Sequence, residues 1–118
     1  MWYWCRSARA ALVAAVLAAA PIASAAAWEA TVGLDEWRSH AAGGRVLELD
    51  VVAELLGRFE EREGTVLTIR HPGGDAGSRW GVEFRDYLVT YGVPSRYMEL
   101  VPGSGGLDIL HVSLTDGG

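Results

Sequence analysis

An α+β sandwich, with two helices packed on one face of a small mixed sheet in the order β-α-β-α-β-β, is the fold this sequence predicts. Three patterns point to it. Thr65-Val66-Leu67-Thr68-Ile69-Arg70-His71 alternates and is rich in β-branched residues, as a strand requires. Trp80, Phe84, Tyr87, Leu88 and Tyr91 then recur at helical spacing, which places all five on one face of a helix over residues 78–91. Upstream, Val52, Leu55, Leu56 and Phe59 fall at i, i+3, i+4 and i+7, the buried stripe of another amphipathic helix.

In chain order, residues 1–27 read as an export leader, a signal peptide. Arg6 and Arg9 open it, the run Ala10 to Ala20 is its apolar centre, and Ala23-Ser24-Ala25 and Ala25-Ala26-Ala27 both fit the small-residue cleavage rule. The other reading is an uncleaved membrane anchor, for which so much alanine is weakly apolar. Cys5, the single cysteine, precedes the apolar centre rather than following it, so a lipid-modified N-terminus is not indicated. Processing would leave a chain without cysteine, long enough for one modest domain and not two. Its core alone must then supply a stability on the order of 5 to 10 kcal/mol.

Residues 28–44 form a tryptophan-containing N-terminal arm, with a short helix over 34–42 ended by Gly43-Gly44. The domain proper is expected over 45–114. Residues 45–50 alternate and predict a first strand with Leu47 and Leu49 on one side, after which Asp50 suits an N-cap. Glu54, Arg58 and Arg62 lie four apart along the helix that follows, acid before base, and Gly64 closes it. Pro72-Gly73-Gly74-Asp75-Ala76-Gly77 cannot extend a strand and reads as a loop, while Gly92 stops the aromatic helix with Pro94 just beyond. Residues 97–101 and 107–114 predict two strands joined by a five-residue turn, a hairpin adding an antiparallel edge to three largely parallel strands. Residues 115–118 read as a disordered tail.

Fifteen acidic side chains stand against ten basic ones, every one an arginine, for a formal net charge of −5. Loss of Arg6 and Arg9 with the leader would make the remainder more acidic still. Nucleic acid is therefore excluded as an expected partner, since affinity for it rests on neutralised phosphates. Anionic membrane surfaces are equally unsuited, and membrane contact is expected only through the leader if it is uncleaved.

The pattern Leu55-Leu56, then Val66 to His71, a glycine loop, and a helix ending Tyr87-Leu88-Val89-Thr90-Tyr91-Gly92-Val93-Pro94 resembles the OmpA-like C-terminal domain. The resemblance covers roughly residues 46–114 and is closest at the helix end. It implies an exported, peptidoglycan-associated α+β domain of the cell envelope with the same β-α-β-α-β order. In that family the Asp of a Gly-His-Thr-Asp segment and an Arg before the Tyr-Leu hold diaminopimelate. Here His71 matches the family's His, but the Asp position falls on Gly73 and the Arg position on Trp80, so the ligand-binding pair is not preserved.

The glycine loop is the leading site candidate. Gly73, Gly74 and Gly77 would let backbone amides approach a ligand, and Arg79 would pair with a carboxylate while Asp75 grips an ammonium group. The plainer reading is a turn in which Asp75 caps the helix and pairs with Arg79 at i+4. Trp37 and Tyr87 are either core cover or an exposed partner surface. His71 and Asp75 offer two metal ligands with no third nearby, His40 and His111 being distant in sequence. Glu83 and Asp86 read as a solvated face with Arg79 and Arg85. No cofactor is called for. The expected function is a small exported, non-enzymatic binding domain of the bacterial cell envelope, with an envelope protein or a peptidoglycan fragment as partner. Stem-peptide anchoring through 73–79 and a small metal-assisted hydrolase are the alternatives.

Overall fold

Residues 28–115 are described by the computed structural model; residues 1–27, where a signal peptide is expected, and 116–118 lie outside them. The fold is α+β, with helices α1 (Leu34–Ala42), α2 (Asp50–Arg58) and α3 (Gly74–Thr90) against a four-stranded mixed sheet. Its strands are β1 (Trp28–Gly33), β2 (Val66–His71), β3 (Met98–Pro102) and β4 (Ile109–Thr115), in the order β1-β4-β2-β3. β4 runs antiparallel to both its neighbours, and β2 and β3 are parallel.

Period-two alternation decides which side of the sheet is covered. Register places Val32 opposite Leu110, Ile69 opposite Val112, and Leu67 opposite Leu114, and all six are buried. They meet Trp37 of α1, Val52 and Leu55 of α2, and Trp80, Phe84 and Leu88 of α3 in one cluster. The opposite face carries Glu29, Thr31, Thr68, Arg70, Glu99, His111 and Ser113, all exposed or half-buried. There His111 Nε2 pairs with Glu29 Oε1 at 3.0 Å across the β1–β4 ladder.

Several elements differ from the sequence expectation. The arm is part of the fold: Trp28–Gly33 is an edge strand and α1 packs beside it, so three helices cover the sheet rather than two. The strand expected over 45–50 is a 3-10 turn, Val46–Glu48, leading into α2. Val46 and Leu49 are the buried residues there, an i, i+3 pair, while Leu47 is 52% exposed. Leu49, not Asp50, is the N-cap, and α2 ends at Arg58, well before Gly64. Glu54 and Arg58 form the expected pair at 3.0 Å, and Arg58 also lies 6.0 Å from the Trp28 ring centroid, tying α2 to the arm.

The expected C-terminal hairpin is absent as a pair: β3 and β4 flank β2 on opposite sides, and the connection crosses the end of β2, where Gly103 N donates to His71 O at 2.8 Å. His71 therefore ends a central strand, not an edge, and is buried. The aromatic helix is longer than expected, starting at Gly74, and terminates in a Schellman motif, with Gly92 N on Val89 O and Val93 N on Leu88 O, both 3.0 Å. Thr115 belongs to β4 rather than to a tail.

Candidate functional site

The glycine loop folds down to two residues, Pro72 and Gly73, because the next turn is already helix. Its glycines have structural reasons. Gly74 holds φ +85, a left-handed conformation. Gly77 is buried against the preceding carbonyl: a Cβ there would lie 1.9 Å from Pro72 O. One turn on, a Cβ at Gly81 would lie 3.0 Å from the His71 ring. Gly77 and Gly81 thus form the flat of α3 on which the end of β2 rests, with His71 Nδ1 donating to Pro72 O at 2.8 Å. Gly77 is consequently closed to a ligand.

Asp75 and Arg79 do not form the expected i, i+4 pair, and neither makes a side-chain cap to α3. They are separated by the groove as well. Arg79 lines an open groove of about 1030 Å³ between α1 and α3, whereas Asp75 stands outside it. The groove wall includes Trp37 and Arg38 from α1, with Arg79, Trp80, Glu83 and Tyr87 from α3.

Trp37 anchors this groove from inside. It is 2% exposed, its ring centroid is 5.4 Å from those of Phe84 and Tyr87, and its Nε1 donates to Glu83 Oε1 at 2.7 Å. Trp37 is therefore core, not an exposed partner surface; a helix of nine residues reaches the core through one large ring. Tyr87 is half-buried beside it and shares the groove wall. Glu83 is not merely a solvated charge, since it fixes the Trp37 indole between the two helices.

Tyr91, 6.2 Å from Tyr87 between ring centroids, has its phenol pushed above the ordinary value of 10.0 by burial and by the neighbouring Tyr87. A raised phenol favours the neutral form in the folded state, so its contribution to stability is complete below pH 10 and is lost as pH rises through the folded value. Spectrophotometric titration, with the signal assigned by difference against Tyr91→Phe, is expected to show Tyr91 ionising above its ordinary value, and earlier in Tyr87→Phe.

The three histidines do not converge. His40 Nδ1 meets the carbonyl of Glu36, His71 is folded onto Pro72, and His111 lies on the open sheet face with Glu29. Among the described residues no group of three or more His, Cys, Asp or Glu side chains is placed to hold a metal ion. Among them, too, no helix is long and apolar enough to cross a membrane.

Site and scaffold together define an α+β domain with a groove between two helices. In comparisons with protein-family models, curated proteins and solved structures, the chain matches none.

Proposed function

We propose that the chain is a small exported binding or interaction domain of the bacterial cell envelope, with no enzyme chemistry of its own. The groove between α1 and α3 carries this reading, because it joins aromatic walls to unpaired guanidinium groups on a rigid core. Export is supported by the charge, apolar centre and small-residue cleavage pattern of residues 1–27. The envelope assignment is supported by the OmpA-like resemblance of the segment from β2 through the end of α3. A peptidoglycan stem peptide as ligand is favoured by one observation, the placement of Arg79 on the groove wall. The binding reading is preferred to the hydrolase alternative because the His71 ring is held on Pro72 and Asp75 is solvent-exposed.

A C-terminally tagged full-length chain, expressed in a bacterial host and fractionated, is expected in the envelope or periplasmic fraction with its mass reduced by the leader. Retention at full length in the cytoplasm would sink the export reading. Co-sedimentation with purified sacculi separates the peptidoglycan ligand from a protein partner.

A further inference from the structure

The polar groups lining the α1–α3 groove divide by whether the protein already satisfies them. The acceptors have donors: Glu83 receives the Trp37 indole, and Asp86 pairs with Arg85 at 3.2 Å. Trp37 and Thr90 spend their donors within the protein, but the two guanidinium groups do not. Arg38 and Arg79, both exposed on the groove wall, make no hydrogen bond or ion pair among the described residues. Trp80 also lines the groove and is 6% exposed, yet its Nε1 is buried without a partner.

We infer that the groove is a carboxylate-binding site, with Arg38 and Arg79 as the charged partners and the neighbouring Trp80 indole as its reporter. This rests on the reading of the chain as a binding domain and names its ligand chemistry. A carboxylate matches the guanidinium fork in plane and spacing. Phosphate is disfavoured, since a dianion meets Glu83 and Asp86 on the same wall. Leu34, Ala41 and the ring of Tyr87, all partly exposed on the groove, provide an apolar floor for the body that bears the carboxylate. The carboxylate belongs either to a peptide C-terminus or to a small organic acid.

The Trp80 indole resonance in a ¹H–¹⁵N spectrum, assigned by its loss in Trp80→Phe, reads the site directly. The full chain is titrated with trialanine, its C-terminal amide, butyrate and inorganic phosphate. Trialanine or butyrate is expected to move the Trp80 resonance, the stronger of the two identifying the source. The amide and phosphate are expected to leave it in place. Arg38→Gln and Arg79→Gln, both surface changes, are each expected to weaken binding about tenfold or more, the ordinary value of a charged hydrogen bond. The inference is overturned if the amide or phosphate binds as well as the acid, if the arginine variants bind unchanged, or if no carboxylate moves the resonance at millimolar concentration. Each of these failures leaves the export experiment untouched, and failed export leaves carboxylate binding measurable.

Discussion

Gly77→Ala is expected to destabilise the domain by about 3 kcal/mol, the upper range for forcing extra atoms into a packed contact. In an exposed helix the same change stabilises by roughly 1 kcal/mol, because alanine is the better helix former. The sign reverses here because the added methyl would sit 1.9 Å from Pro72 O and 2.4 Å from its carbonyl carbon. Both are backbone atoms at the end of β2, so no side chain can swing aside, and α3 must move off the sheet. Gly57→Ala is the matched control. Gly57 lies in α2 with nothing within 4 Å of a built Cβ, and alanine there is expected to raise stability by about 0.5 to 1 kcal/mol. Urea unfolding of the pair checks both signs. A stabilised Gly77→Ala would mean that α3 does not rest on Pro72.

Trp37→Ala is expected to cost about 3 to 5 kcal/mol, the loss typical of emptying a large aromatic site in a core. That is a large share of the total for a domain of this size. Trp37 touches Phe84 and Tyr87 and supplies the hydrogen bond to Glu83, so its removal opens the joint between α1 and α3. Trp37→Phe keeps much of the packing and removes the N–H, for an additional expected loss of about 1 kcal/mol from the hydrogen bond alone. Were Trp37 instead a surface residue awaiting a partner, truncation would change stability by within about 0.5 kcal/mol. Denaturant midpoints at constant slope distinguish the two.

How much of this was legible follows the range of the interactions. The stripe Trp80, Phe84 and Leu88 and the stop at Gly92 are local features, and the helix bears them out. So is the Glu54–Arg58 pair. Alternation over 45–50 misled because Val46 and Leu49, three apart, fit a tight turn as well as Leu47 and Leu49 fit a strand. In β1 the inward residues are Trp28, Ala30 and Val32, a period-two signal weakened by the small alanine. The placement of β4 could not be read locally, since a short turn between strands does not say which of them will pair.

The site divides the same way. The glycines around 73–77 were visible, but a glycine needed for close packing and one needed for ligand access look identical in a sequence; only the distance to Pro72 separates them. Asp75 and Arg79 had the spacing of an ion pair without forming one. Arg38 was missed, because its relation to Arg79 exists only once α1 and α3 lie side by side. The signal that would have found it is the large Trp37 in so short and polar a helix, which implies burial and so fixes the helix beside its neighbour.

The sheet order has a consequence for how the molecule is made. Among the described residues β1 is hydrogen-bonded only to β4, the last of the four strands, and β2 has β3 on its other side. The first and last strands must therefore meet across nearly the whole length of the fold, a pairing that carries a high loop-closure entropy and slows folding. Until the closing segment is free, the opening strand has nowhere to dock, and synthesis from the N-terminus delivers a sheet with its keystone missing.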